Sequence, residues 1–128
     1  MATRRLILIV DDEYDFRAIC AHLLGRAGYE TVTAEDGKTG LAAFKSRRPD
    51  LVIVDGNLPD MDGIEVCRRL RGTAGGERVP VLMCTVRSAV VSVQAGLEAG
   101  VSDYLLKPFE TEEMLERVAD ALKTTEGR

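Results

Sequence analysis

The sequence predicts a doubly wound α/β sandwich: five strand–helix units around a parallel sheet in the order 2-1-3-4-5. Three observations carry this. Short apolar runs stopped by polar residues recur along the chain, helical patterns separate them, and the most apolar runs are continuous rather than alternating. Continuous apolarity is what strands buried on both faces require. Leu6-Ile7-Leu8-Ile9-Val10 stops at Asp11-Asp12, Leu51-Val52-Ile53-Val54 at Asp55, and Val79-Pro80-Val81-Leu82-Met83-Cys84 at Thr85. Glu30 to Thr33 and Asp103 to Leu106 are weaker and read as edge strands. Right-handed crossovers then cover both faces, and placing the apolar strands centrally selects this order over a six-stranded one.

The helices follow from spacing and caps. Phe16, Cys20, Leu23 and Ala27 recur at intervals of four and three, and Gly28 closes that helix. Leu41 and Phe44 belong to a second helix beginning near Asp36. A third begins at Asp62, with Glu65 in the capping-box position. The fourth runs from about Ser88 to Ala99, and the fifth from near Thr111 with Met114, Leu115, Val118 and Leu122 on one face. Glu110, Glu112 and Glu113 gather at the start of the fifth helix. Lys45, Arg47 and Arg48 end the second, and Arg68, Arg69 and Arg71 the third. Each such charge complements the helix dipole by about 0.3–1 kcal/mol, so the arginines read as solvated helix ends. The fourth helix is weak, being rich in β-branched residues with Gly96 inside it. Val90, Val93 and Leu97 fit its core face, while Val91 and Ala95 fall off it. An exposed strip there suits a switching surface; an ordinary small-residue helix fits as well.

Composition bounds the function. At 128 residues the chain is expected to be one domain, with a core over about residues 4–123 and polar residues Lys123 to Arg128 fraying at the end. It is 45% hydrophobic and 5% aromatic, and 17 basic against 21 acidic residues leave a net charge of −4. That balance argues against direct contact with nucleic acid or an anionic membrane, and the absence of Trp against a base-stacking platform. Cys20, Cys67 and Cys84 lie far apart in apolar runs, as buried thiols in a reducing compartment do. No secretory leader or membrane-length apolar run is present, so the expected setting is cytoplasmic.

Ligands of open parallel sheets bind at the carboxyl ends of strands where the strand order reverses. Here that point lies between the first and third strands, which end in Asp11-Asp12 and Asp55. Adjacent strands are about 4.8 Å apart, and two charges about 5 Å apart repel by roughly 3 kcal/mol at an effective dielectric near 20. Lys107, at the same edge, offsets part of this. The rest calls for a hard divalent cation with oxygen ligands, Mg²⁺ first and Mn²⁺ as the alternative. Thr85 brings a hydroxyl, and the Lys107-Pro108 bond is of the kind that can be cis. Asp60 and Asp62 read as turn and capping residues.

Asp11-Asp12, Val54-Asp55 with Pro59-Asp60-Met61-Asp62-Gly63, then Thr85, Tyr104 and Lys107-Pro108-Phe109 together resemble the receiver domain of two-component response regulators, a flavodoxin-like, CheY-like fold. The resemblance implies that Asp55 accepts a phosphoryl group from a sensor histidine kinase or a histidine phosphotransfer protein. Asp12 would bind the metal directly, Asp11 chiefly through water, with Asp55 and the backbone carbonyl of Asn57 completing the protein ligands. Thr85 and Lys107 would hold phosphoryl oxygens. Thr85 and Tyr104 would switch the surface of helix 4, strand 5 and helix 5, although an ordinary edge-strand tyrosine fits position 104 as well. That surface would meet a downstream partner, an effector domain or a second copy of the chain. Kinase docking would use the face of the first helix that carries Tyr14, Ala18 and His22.

Three positions tune this expectation. Val86 follows the switch threonine where the family usually has a small residue, and would narrow the approach to Asp55. Asn57 and Arg87 occupy positions that tune the lifetime of the aspartyl phosphate, Arg87 either shielding the phosphoryl group or facing solvent. A receiver fold that works without phosphorylation is the alternative, against which Asp11, Asp12, Asp55, Thr85 and Lys107 are all in place. An aspartate phosphatase of the haloacid-dehalogenase type needs a second aspartate two residues after its nucleophile, where this chain has Asn57. The expectation is self-phosphorylation and dephosphorylation without turnover of external substrates. A flavin carrier needs a phosphate nest where this chain places Asp11-Asp12.

Overall fold

A computed structural model describes residues 4–86 and 93–123. In chain order the elements are β1 (Leu6–Val10), α1 (Tyr14–Arg26), β2 (Glu30–Ala34), α2 (Gly37–Arg47), β3 (Leu51–Val54), α3 (Gly63–Arg71), β4 (Val81–Val86), α4 (Val93–Ala99), β5 (Asp103–Lys107) and α5 (Thr111–Lys123). The strands form one parallel sheet in the order β2-β1-β3-β4-β5, as expected. Because successive strand residues point to opposite faces, the sheet sorts its apolar residues into two cores. Leu8, Val10, Val52, Val54, Val81 and Met83 pack with α2 and α3 through Phe44, Val66 and Leu70. Ile7, Ile9, Leu51, Ile53, Leu82 and Cys84 pack on the other face with α1 and α5 through Cys20, Leu24, Met114 and Val118.

Several boundaries differ from the sequence reading for identifiable reasons. β4 begins at Val81, because Pro80 has no N–H to donate, and it continues to Val86 by pairing Thr85 with Leu106 and Val86 with Lys107. Leu24, not Ala27, completes the buried face of α1. Its helix closes where Gly28, at φ 101°, lets Gly28 N–H reach the Gly25 carbonyl and Tyr29 N–H reach that of Leu24. Asp62 caps α3 through the Glu65 N–H at 2.8 Å, but the Glu65 carboxylate bonds Arg69 instead of closing a box. The reciprocal box belongs to α2, between Asp36 and Thr39.

The largest correction concerns α4. Val93 and Leu97, expected in the core, are 54% and 57% exposed, and Gly96 and Ala99 are buried instead. Small residues face inward because the helix lies close to its neighbours: the Ala99 carbonyl accepts from Cys67 Sγ at 3.3 Å, and a Cβ on Gly96 would overlap the Tyr104 hydroxyl. Ala95, placed off the core face, is half-buried. Val90 and Val91 lie outside the described residues. The three cysteines are free and buried, and burial pushes the thiols of Cys20 up to about 11 and Cys84 up to about 12. Among the described residues no helix is long and apolar enough to cross a membrane.

Candidate functional site

The carboxyl ends of β1 and β3 deliver the acidic cluster. Each of Asp11, Asp12 and Asp55 offers a carboxylate oxygen, and these oxygens all lie within 4.8 Å of one another. Asp11 is buried, with its Oδ1 accepting from the Glu13 N–H at 2.9 Å, and Asp12 is exposed toward the cleft. Asp55 is nearly buried and accepts from the Asn57 N–H at 3.3 Å. Hard oxygen donors gathered this closely suit a hard divalent cation.

β5 brings the compensating charge. Lys107 Nζ donates to Asp11 Oδ2 at 2.8 Å and stands 3.9 Å from Asp55 Oδ2. Burial works against the ammonium, yet the Asp11 hydrogen bond and the Asp11 and Asp55 charges outweigh it and hold the Lys107 pKa above its ordinary value. The Asp55 carboxyl is pushed up as well, by burial first, with Asp11 and Asp12 adding to it and Lys107 and the Asn57 N–H pulling the other way. The Lys107–Pro108 peptide bond is cis.

Asp12, Glu13, Asp55, Asn57, Thr85, Val86 and Lys107 line a cleft of about 310 Å³. Of the residues singled out in the sequence, the structure brings Asp12, Asp55, Asn57, Thr85, Val86 and Lys107 to this cleft, with Asp11 bonded to Lys107 beside it. Val86 is 46% exposed at its rim. Arg87 lies outside the described residues. Thr85 is buried, and its Oγ1 has no hydrogen-bond partner among the described residues; the buried Tyr104 hydroxyl has none either. Tyr104 sits toward α4, behind the cleft rather than in it. Tyr14, Ala18 and His22 are all exposed on α1.

Two contributions go beyond what the sequence shows. Asp60 accepts from the Gly37 and Lys38 N–H groups at 2.8 and 2.9 Å, so it caps α2 from the loop that follows Asp55. Phe16 lies under Lys107, its ring centroid 4.0 Å from Nζ. Its place in the apolar repeat of α1 signals packing only.

The profile of the response regulator receiver domain matches residues 7–119, and the chain belongs to that family. It is 44% identical over 119 residues to the response regulator MprA of Mycolicibacterium vanbaalenii, covering 93% of this chain and 51% of that protein. To the DNA-binding response regulator MtrA of Mycolicibacterium smegmatis it is 41% identical over 123 residues, covering 96% of this chain and 53% of that protein. The chain therefore spans about half the length of these curated relatives. Among solved structures it resembles the chemotaxis response regulator CheY4 of Vibrio cholerae, with TM-score 0.88, 34% identity and coverage of 93% of this chain and 99% of that one. The receiver domain of sensor histidine kinase PA1611 from Pseudomonas aeruginosa, described with a magnesium ion coordinated in its active site cleft, aligns with TM-score 0.86 and 27% identity over 94% of this chain and 99% of that one.

These relatives correct the expected partners. The composition argued against any direct partnership with nucleic acid, yet the MtrA relatives are named as DNA-binding. A net charge summed over 128 residues describes only the stretch that carries it, and that stretch is about half of each such relative.

Proposed function

We propose that the chain is a phosphoacceptor signalling module in which Asp55 takes a phosphoryl group from a phosphohistidine. The observation that carries the reading is the convergence of the Asp11 and Asp12 carboxylates and the Lys107 ammonium on Asp55, in a cleft that Thr85, whose hydroxyl has no partner among the described residues, also lines. In the transfer, an Asp55 carboxylate oxygen forms the new P–O bond as the P–N bond breaks and its electron pair returns to the histidine nitrogen. The transition state spreads charge over three equatorial oxygens, so positioning and neutralisation supply the catalysis. Lys107 from β5 and Thr85 from β4 would meet those oxygens.

Asp11, Asp12, Asp55 and the Asn57 carbonyl would hold Mg²⁺, or Mn²⁺ in its place. The bound cation supplies charge neutralisation and orientation to the phosphoryl oxygens. Once a phosphoryl oxygen engages the Thr85 hydroxyl, which has no partner among the described residues, the balance between two arrangements of α4, β5 and α5 shifts. Asn57, Val86 and Arg87 set access to the aspartyl phosphate and its lifetime. The reaction is confined to the chain's own phosphorylation and dephosphorylation, in a cytosolic setting. In a protein as long as the MtrA relatives, the same switch would govern attachment to DNA.

The test is incubation with Mg²⁺ and acetyl phosphate, read by intact mass and compared with Asp55→Asn. A phosphoryl gain that needs both Asp55 and the metal is expected. No such gain favours a receiver fold that works by binding alone.

A further inference from the structure

The Lys107 ammonium is held from more than one side. Nζ donates to Asp11 Oδ2 at 2.8 Å, and it also lies over the ring of Phe16, 4.0 Å from the centroid. Phe16 is braced in turn by Phe109, edge to face, with ring centroids 6.1 Å apart and planes at 88°. Lys107 lines both the acidic cleft and the apolar groove that contains Phe16 and Phe109, so its charge sits where the two meet. The face of an aromatic ring is electronegative and attracts a cation within about 6 Å of the centroid. An aliphatic side chain of similar size fills the space without that attraction.

We propose that Phe16 is a positioning residue for the chemistry at Asp55. Its ring face holds the Lys107 ammonium at the edge of the cleft, where it meets the phosphoryl oxygens. The inference rests on the reading of Asp55 as phosphoacceptor. A lysine is a point charge on a flexible four-carbon stem, and its contacts with Asp11 at 2.8 Å and Asp55 at 3.9 Å are both to the acidic cluster. The ring is a second attachment, and it keeps water from that side of the ammonium. With acetyl phosphate as donor, the step served is formation of a P–O bond to Asp55 as the P–O bond to acetate breaks and acetate leaves with its electron pair.

Fluorinated phenylalanines at position 16 keep the shape of the ring while withdrawing charge from its face in steps. With Mg²⁺ and acetyl phosphate, labelling followed by intact mass should slow progressively from phenylalanine to trifluorophenylalanine, by about three- to tenfold over the series. Phe16→Leu should label no faster than the slowest member. An independent readout is the NMR shift of the Lys107 ε-methylene, which the ring current displaces in the unaltered protein and which Phe16→Leu should return toward an ordinary lysine value, with no donor present. A flat series in a protein that labels overturns this inference alone, as does an ε-methylene shift indifferent to Phe16→Leu. Failure of the unaltered protein to label overturns the phosphoacceptor reading and this inference with it.

Discussion

The Tyr104 hydroxyl occupies the space that a side chain on Gly96 would need. The glycine that weakens α4 as a helix is therefore what lets the ring lie inward, with its hydroxyl buried and unpartnered among the described residues. Burial also raises the Tyr104 pKa above its ordinary value.

Gly96→Ala should consequently drive the Tyr104 ring outward. The clashing group is the far end of a mobile side chain, so rotation rather than unfolding is the response. Alanine favours a helix over glycine by about 1 kcal/mol, which should keep the net change in stability within about 1 kcal/mol. NMR of a ring-labelled Tyr104 checks this, and an unmoved ring would refute it.

Asp55 should make the apoprotein less stable at neutral pH. A carboxyl whose folded pKa is raised gives its full stability below the ordinary value of 3.8 and loses it as pH rises through the folded value. Asp55→Asn should therefore be more stable than the unaltered protein at pH 7, on the order of 1 kcal/mol, with a flatter pH profile. Urea denaturation without divalent cations, repeated across the acid range, reads both effects. Mg²⁺ at about tenfold over its dissociation constant should stabilise the unaltered protein by about 1.4 kcal/mol and Asp55→Asn by less.

Val86→Ala should open the cleft. Val86 is exposed and shares the lining with Asp55 and Thr85. Removing its branch leaves the core untouched, and labelling by acetyl phosphate should quicken severalfold at unchanged stability. An unaltered rate would show that the valine does not limit access.

Arg71 should matter more than a solvated helix end would. Its guanidinium donates to the carbonyls of Gly76 at 2.9 Å, Val79 at 2.5 Å and Gly100 at 2.6 Å, tying the end of α3 to the turns before β4 and after α4. Arg71→Ala should cost about 2–3 kcal/mol in chemical denaturation, because partly buried carbonyls lose charged donors. Arg68→Ala, at an exposed position, should cost under about 0.5 kcal/mol.

The contrast between those arginines shows where the sequence was legible. The central strands and the acidic edge could be read because the β1 and β3 runs end at Asp11 and Asp55, and topology then places Asp11, Asp55 and Lys107 together. Arg71 could not be told from Arg68 by sequence, since its partners are carbonyls that the chain brings back from up to 29 positions away. The inward face of α4 was misread because close approach rewards small residues there, reversing the usual rule that large apolar side chains face in. Asp60 was legible as a cap but not as the cap of α2, whose amides precede it by 22 and 23 positions.

The cap formed by Asp60 gives the cleft a direction. The loop after Asp55 is fastened to the start of α2 by Asp60 and to itself by the Gly63 N–H on the Gly56 carbonyl at 3.0 Å. Across the cleft, the Thr85 hydroxyl has nothing to hold it among the described residues. The site is a clamp with one fixed jaw and one loose one. On the phosphoacceptor reading, a ligand at Asp55 would therefore pull on the β4 side first, toward α4 and β5, with α2 as the footing.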